Sequence, residues 1–451
     1  MIAPFLFALT VPISAVDPRI VTVGRFDRSD PTSIACEWSA CEVRLLVKGD
    51  TLLVTAEDSG KDYWQIVIDG KRTQVLTLQG GLTEYNIDLG SKATHEVSLV
   101  KRTEPMVGTT RFRAFDVPGG EIFQAKRRPH LIEFVGDSIT AAFGNEGASE
   151  KEHFKPETEN AYLSYASLAA RALDAEVRIL AWSGRKMWPD NTVPEIYDRI
   201  LPTRPEPQPD PKDPAPDAVV INLATNDFAP KNPDEAGWSA AYEAFVRKLR
   251  AKYPKAQIYA ALGSMMSDDF PPGNLALSTA RGYLNKLVAR VNDPHFHFIE
   301  FETQRYGDGI GSDWHPNLVT HRRMALRLVD VLERDLHWKR NRLLDESMLL
   351  RAIRARPLTQ PAANPVAKTL VASAAGVPPK PLVSAKTPAP KAKKPVVRRR
   401  AVRRLAKHAP VRRRGHHPVK AVRRWRPVRA SASSHRRWRP SPSAAKRGRS
   451  R

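Results

Sequence analysis

A serine and a histidine far apart in the sequence carry the side chains needed for nucleophilic catalysis. Ser138 follows the apolar run LIEFV on a tight turn begun by a glycine, Gly136-Asp137-Ser138, which exposes a hydroxyl at the end of a predicted strand. A serine hydroxyl is a poor nucleophile at neutral pH, so it needs a neutral imidazole within reach to take its proton. His315, in the segment DWHP, is the candidate base, and Asp313 is the candidate to orient it.

Two further segments could stabilise the oxyanion that such an attack creates. Gly184 follows the run VRILAWS, and Asn226 follows VVINLAT. The backbone N–H groups of Ser138 and Gly184 and the side-chain amide of Asn226 form a natural set of donors. Losing one donor of this kind costs about 100- to 1000-fold in rate. A GDS tripeptide alone is more often an ordinary turn, so the prediction depends on all of these segments together.

The pattern of apolar residues differs between two regions of the chain. Residues 17–120 show short alternating runs such as TLLVTA and YWQIVIDG between turn signals, which predicts an all-β sandwich. Residues 125–340 alternate apolar runs with amphipathic stretches, which predicts a parallel sheet covered by helices on both faces, an α/β domain. The proline-rich stretch 202–217 is predicted to be a surface loop.

The motif blocks resemble a known superfamily. GDSIT, the glycine of WSGR, the TND of NLATNDF and DWHPN are similar, in order and place, to the four blocks of SGNH (GDSL) hydrolases. Upstream, GRFDRSDP and GTTRFRAFDVPGG resemble the β-sandwich of carbohydrate esterase family two. The resemblance covers about residues 23–338. It implies a three-layer α/β/α hydrolase domain after a jelly-roll sandwich, and an acetyl xylan esterase-like enzyme that removes O-acetyl groups from sugars or polysaccharides such as xylan and glucomannan through an acyl-enzyme.

Two positions depart from the superfamily pattern. Ala224 stands where the family has a glycine, which adds a methyl group where the backbone could need to turn. The acid lies two residues before His315, at Asp313, whereas the family position three before it is Ser312. Residues two apart on an extended chain point the same way, so Asp313 could still assist. A Ser-His dyad oriented by a backbone carbonyl is the alternative.

Aromatic and histidine residues near the motifs have two interpretations. One set of rings adjoins the site residues and could form a stacking floor for a pyranose ring, although core packing is the rival interpretation: Trp182, Trp188, Phe228 and Trp314. His295, His297 and His321 are expected to be ordinary strand and helix positions. No metal and no cofactor is expected.

The N-terminal part raises questions of export and redox state. Residues 1–16 are uncharged and mostly apolar, which fits a signal peptide with cleavage near Ile13-Ser14-Ala15 and predicts a periplasmic, extracellular or cell-surface protein. A buried strand is the alternative.

A hairpin turning at Trp38-Ser39 would place Cys36 opposite Cys41, either as a disulfide or as two free apolar residues.

The C-terminal segment has a different composition from the rest. No Asp or Glu follows Glu346, yet 30 of the 72 Lys and Arg residues do, which leaves 42 against 48 acidic residues before it. The formal charge of +24 therefore comes from this segment. Residues 350–451, rich in Lys, Arg, Pro and Ala, are predicted to be a disordered basic tail that binds anionic envelope polymers or other polyanions, or nucleic acid if the protein is intracellular.

Three classes of function follow. A carbohydrate deacetylase is favoured because both predicted domains match. A general GDSL lipase or aryl esterase would act on longer acyl chains. A non-catalytic polyanion-binding surface protein would retain the hydrolase fold as a relic, which the joint presence of Ser138, Gly184, Asn226 and His315 argues against.

Overall fold

The computed structural model describes residues 11–207 and 213–341. The first eleven strands in these residues form two antiparallel sheets: β1 (Ile13–Ser14), β2 (Val21–Val23), β3 (Ile34–Cys36), β4 (Glu42–Lys48), β5 (Thr51–Asp58), β6 (Tyr63–Ile68), β7 (Lys71–Thr77), β8 (Thr83–Asp88), β9 (Thr94–Lys101), β10 (Thr110–Asp116) and β11 (Glu121–Phe123). One sheet has the order β1-β10-β5-β8 with β3 also on β10, and the other has the order β11-β4-β9-β6-β7 with β2 on β4.

The sandwich buries one face of each sheet. Along β5, Leu52, Val54 and Ala56 are buried while the residues between them are not, which is the period-two pattern of a half-buried strand. Trp64 of β6 packs edge-on against Phe112 of β10 with 4.8 Å between ring centroids. The two sheets thus share one aromatic core, and the jelly-roll prediction is confirmed.

The ends of the sandwich differ from the predicted limits. β1 pairs Ile13 with Phe115, and Ala15 is buried, so the predicted cleavage site at Ile13-Ser14-Ala15 lies inside the folded sheet. β11 extends the sandwich beyond residue 120. Residues 1–10 lie outside the described residues, and export stays a prediction.

The hairpin predicted between the two cysteines is wrong. Cys36 ends β3 opposite Thr110 in the first sheet, whereas Cys41 precedes β4 in the second sheet. The intervening chain crosses between the sheets, and Trp38 within it is buried, with its ring N–H donating to Arg199 O at 3.2 Å. Both cysteines are buried free thiols.

The α/β domain is built on five parallel strands. The sheet has the order β13-β12-β14-β15-β16. Its strands are β12 (His130–Gly136), β13 (Ala175–Ala181), β14 (Ala218–Asn222), β15 (Gln257–Leu262) and β16 (Phe296–Glu300). Its helices are α1 (Ser138–Ala141), α2 (Tyr165–Ala172), α3 (Val193–Ile196), α4 (Thr225–Phe228), α5 (Glu235–Lys252), α6 (Ala276–Val291) and α7 (Leu318–Leu336).

Alternate residues of these strands face two different helix layers. On β14, Ala218 and Val220 pack in the cluster that contains α2 and α7, whereas Val219 and Ile221 pack in the cluster that contains α5 and α6. The domain is therefore the expected three-layer α/β/α fold. The strand order reverses at β12, between β13 and β14. In open α/β sheets, ligands bind outside the carboxyl ends of the strands at such a switch point.

Other sequence predictions fall on connecting or undescribed segments. Residues 202–207 and 213–217 contain neither helix nor strand, as expected for a loop, and residues 208–212 are outside the described part. The predicted basic tail, 350–451, also lies outside the described residues. In the part of the chain that the structure covers, no helix has the length and hydropathy needed to cross a membrane.

Candidate active site

Three loops at the switch point bring the predicted residues together. Ser138 begins α1 two residues after β12, Gly184 follows β13 by three residues, and Asn226 lies on α4 after β14. Because β12 pairs with both β13 and β14 in parallel register, the three loops leave the same edge of the sheet. His315 comes from the segment that precedes α7.

Ser138 is fixed by its own turn. The Asp137 side chain caps α1 by accepting the Ile139 N–H at 3.0 Å. Position 136 requires glycine because the Thr140 side chain lies close to it: a Cβ there would be 2.6 Å from Thr140 Cβ. The Ser138 side chain is nearly buried, at 5% exposure, with its hydroxyl directed to the histidine.

His315 is arranged as a proton acceptor. Its Nε2 lies 2.8 Å from Ser138 Oγ, and its Nδ1 lies 2.9 Å from the Asp313 backbone oxygen and 3.2 Å from that of Ser312. Carbonyl oxygens only accept, so Nδ1 carries the proton and Nε2 is free to accept from the serine. Burial lowers the pKa of His315, which keeps the imidazole neutral at neutral pH. The Phe143 ring packs 4.3 Å from the imidazole.

The prediction that the Asp313 carboxylate orients His315 is wrong. Its Oδ1 lies 2.9 Å from His153 Nδ1, and its Oδ2 accepts the Phe154 N–H at 2.8 Å. The chain is not extended before His315, because Asp313 and Trp314 have φ of 47° and 69°, in the left-handed region. This turn directs the Asp313 carbonyl, not its side chain, toward the histidine. The alternative of a dyad held by a backbone carbonyl describes the geometry.

Gly184 and Asn226 lie on the loops that follow β13 and β14, the two strands that pair with β12. Arg185 N donates to Trp182 O at 3.3 Å, and Gly184 has φ of +77°, as at the third position of a type II turn. Within the described residues we find no acceptor for the Gly184 N–H. The Asn226 amide donates one N–H to Arg185 O at 2.9 Å, which fixes it against the loop after β13. Its nitrogen lies 3.5 Å from Asp137 Oδ2, a long contact that leaves the second N–H available to an oxyanion.

The methyl group of Ala224 fits its position. Ala224 has φ of 163°, outside the left-handed region, and it is buried at 2% exposure. The departure from the family glycine therefore does not place a side chain in the left-handed region.

Asp227 has a positioning function that the sequence analysis missed, although it lies in the quoted TND block. Its Oδ1 accepts the N–H of Met187 at 3.0 Å, that of Trp188 at 2.9 Å and the ring N–H of Trp238 at 3.0 Å. Burial raises the pKa of Asp227 to about 6 and that of Asp137 to about 7. Asp227 ties the loop after β13 to the loop after β14.

Of the four aromatic candidates, one lies in the core and the other three are partly or largely exposed. Phe228 is 1% exposed and packs edge-on against Trp238, so its predicted contact with substrate is wrong and core packing applies. Trp314 is 51% exposed beside His315. Trp182 is half-buried, with the Arg185 guanidinium 4.7 Å above its ring. Trp188 is half-buried and packs against the core.

The histidines predicted to be ordinary positions have ordinary contacts. His297 lies on β16 with its Nε2 2.8 Å from Gln257 Oε1. His321 is fully buried on α7, where its Nδ1 accepts the Tyr165 N–H at 3.1 Å, and burial lowers its pKa to about 3. His295 lies just before β16, 3.0 Å from the Gln257 amide.

The fold and the four residues at the switch point define a hydrolase of the SGNH class. The GDSL-like Lipase/Acylhydrolase family matches residues 134–323, and the Carbohydrate esterase 2 N-terminal family matches residues 22–125. Together with the match to a solved structure, these findings identify both domains. The chain belongs to carbohydrate esterase family two.

Curated and solved relatives agree with this assignment. The Cellulase/esterase CelE of Acetivibrio thermocellus is 35% identical over 332 residues, which are 71% of this chain and 40% of that relative's length. An "Acetylxylan esterase / glucomannan deacetylase" of Cellvibrio japonicus is 26% identical over 74% of this chain and 93% of the relative. The structure of a family two carbohydrate esterase from Clostridium thermocellum in complex with cellohexaose is 34% identical, with a TM-score of 0.68, and covers 71% of this chain and 100% of that chain.

Asp313→Asn tests whether the carboxylate is needed. We expect kcat to fall by less than about tenfold, because the carbonyl that holds His315 remains, whereas removing the acid of a serine-histidine-acid triad costs about 10⁴-fold. The measurement is kcat on 4-nitrophenyl acetate, with His153→Gln as the control for loss of the contact to Oδ1. A loss near 10⁴-fold for Asp313→Asn alone would contradict the dyad geometry.

The pH dependence of kcat/KM tests the state of His315. A base with a lowered pKa stays neutral to lower pH, so the rate should rise with pH to a plateau with a midpoint below about 6.5. Because burial raises the pKa of Asp137 to about 7 and that of Asp227 to about 6, the profile is also measured in the double variant Asp137→Asn, Asp227→Asn, where neither carboxyl titrates and the remaining limb is assigned to His315. A midpoint above pH 7 in that variant would mean that the imidazole is stabilised as a cation.

Proposed function

We propose that the protein is a serine esterase that removes O-acetyl groups from sugars or polysaccharides. The observation that carries the proposal is the 2.8 Å contact between Ser138 Oγ and a His315 whose other nitrogen is held by a carbonyl. This arrangement activates the serine as a nucleophile. The relatives named as acetylxylan esterase and glucomannan deacetylase support the substrate class.

The proposed reaction uses the site residues in two half-reactions. Ser138 Oγ attacks the ester carbonyl while His315 Nε2 takes the hydroxyl proton. The N–H groups of Ser138, Gly184 and Asn226 donate hydrogen bonds to the oxyanion that develops. The sugar hydroxyl leaves with the proton from His315, which gives an acetyl-enzyme. His315 then deprotonates a water molecule that releases acetate and restores the serine.

The first test is acetate release from acetylated xylan, acetylated glucomannan and 4-nitrophenyl acetate. Ser138→Ala should lower release by at least about 10³-fold, because it removes the nucleophile and leaves only the oxyanion donors. Ser149→Ala is the matched control and should retain wild-type rates. The preferred polymer identifies the substrate class, and a preference for 4-nitrophenyl butyrate or longer esters would favour the lipase-like alternative. No serine-dependent release from any acetyl ester would refute the proposal.

We further propose that the basic segment after Glu346 holds the enzyme on anionic surfaces outside the cell. Thirty cations with no anion bind a polyanion through counterion release, so binding should weaken steeply with salt. The predicted export agrees with a polymeric substrate, and the tail would concentrate the enzyme on it.

Deleting residues 347–451 tests the tail separately from catalysis. We expect binding to an anionic polymer such as polygalacturonate at low salt to disappear, while kcat/KM on 4-nitrophenyl acetate changes by less than about twofold, since the described site lies before residue 342. Binding by the full chain is measured over a series of salt concentrations. Retention of binding by the shortened chain would place the polyanion contact elsewhere.

A further inference from the structure

We propose that Glu104, a buried residue of the β-sandwich, is a positioning residue for the active site of the α/β domain. Glu104 fixes the turn that presents the Gly184 N–H to the oxyanion. The inference rests on the proposed esterase function and extends it, because it gives the sandwich a role in positioning an oxyanion donor.

The contact between Glu104 and the turn uses both carboxylate oxygens. Glu104 Oε2 accepts the Ser183 backbone N–H at 2.7 Å, and Oε1 accepts the Ser183 hydroxyl at 2.5 Å. Glu104 follows β9 and is fully buried. One residue of the turn is therefore held at two atoms by a single side chain that comes from another domain.

The orientation of one peptide explains why this anchor matters. The N–H of Gly184 belongs to the peptide between Ser183 and Gly184, which is the central peptide of the turn from Trp182 to Arg185. Type I and type II turns differ by a flip of this peptide. A glycine at the third position allows φ of +77° at no steric cost, but it also leaves the peptide free to rotate.

Restraint on this peptide has to come from outside the turn. A Cβ at Gly184 would have no atom within 4 Å, so surrounding atoms do not fix this residue by packing. Glu104 holds the residue before Gly184, and Asp227 holds Met187 and Trp188 at the other end of the loop. Asn191 Nδ2 donates to Gly184 O at 3.2 Å and Asn226 Nδ2 donates to Arg185 O at 2.9 Å, both beyond the Ser183–Gly184 peptide. Glu104 binds Ser183, the residue on the other side of that peptide.

The surroundings of Glu104 suit an acceptor. Its own N–H donates to Glu159 Oε2 at 3.0 Å, and burial raises the pKa of Glu159 well above its usual range, with the nearby Glu104 charge adding to the effect. Burial raises the pKa of Glu104 as well, and the two hydrogen bonds from Ser183 act against that rise because they stabilise the carboxylate. Buried Lys101, which is ion-paired with Asp62 at 2.7 Å, adds a positive charge to this region.

A purely structural contact between domains predicts a different result from a positioning residue. Loss of packing alone would lower stability and leave kcat of the folded enzyme unchanged. Misplacement of an oxyanion donor lowers kcat, because the donor acts on charge that develops only in the transition state, and it leaves KM nearly unchanged.

Three variants of the full chain test the inference with 4-nitrophenyl acetate. Glu104→Gln keeps the volume but cannot accept both bonds, and we expect kcat to fall by about 10- to 100-fold with KM within about threefold. Ser183→Ala keeps the backbone N–H and should show a smaller loss of the same kind. Combining the two should cost no more than Glu104→Gln alone, since both act through one contact. Glu121→Gln is the matched control, at the start of β11, with a side chain that is 63% exposed.

A second readout separates this inference from the proposed function. A fluorophosphonate reacts when Ser138 Oγ attacks phosphorus, fluoride leaves and His315 takes the serine proton, and mass spectrometry follows the rate. Slower labelling of Glu104→Gln than of Glu121→Gln supports the inference even if the wild type releases no acetate, a result that would refute only the deacetylase proposal. Equal kcat and equal labelling rates for these two variants overturn it. If Glu104→Gln does not fold, Ser183→Ala decides: lower kcat at unchanged KM supports the inference, and wild-type rates overturn it.

Discussion

A hydrogen bond of 2.8 Å joins Ser138 and His315, which are 177 residues apart in the sequence, and much of the α/β domain serves to hold this contact. The parallel pairing of β12 with β13 and β14 fixes Ser138 relative to the other two loops. On the histidine side, a left-handed turn at Asp313 and Trp314 places two carbonyl oxygens at Nδ1. These carbonyls select the tautomer, and burial keeps the ring neutral, so the pair is prepared for proton transfer before substrate binds.

Two buried carboxylates from different domains hold the loop after β13. Asp227, in the α/β domain, binds its far end, while Glu104, in the sandwich, binds Ser183 beside the oxyanion donor. Backbone N–H groups are precise donors only when the loop that carries them is rigid. The sandwich therefore contributes to the site through a hydrogen bond to the catalytic loop, and we infer that this is one reason why the two domains occur together.

The site residues that the sequence predicted share one property: each follows a strand or motif that is recognisable locally. Ser138, Gly184 and Asn226 come directly after apolar runs, and parallel strands place such positions at one edge. Asp313 was misassigned because φ of 47° at a non-glycine residue leaves no mark in the sequence. Glu104 lies 79 residues from its partner Ser183 in a β-rich segment with no motif of its own, so only the packing of the two domains reveals it. The predictions of substrate contact by Phe228 and of a hairpin in the cysteine segment were wrong for a related reason. Burial against Trp238 and the crossing between the sheets are tertiary features.

The structure of a phosphonate adduct on Ser138 would show the oxyanion donors in use, because its phosphoryl oxygen occupies the place of the oxyanion. We expect this oxygen to receive hydrogen bonds from the N–H groups of Ser138, Gly184 and Asn226, while His315 Nδ1 remains on the Asp313 carbonyl. An oxygen directed away from Gly184, or an Asp313 carboxylate that turns to bind Nδ1, would contradict this expectation.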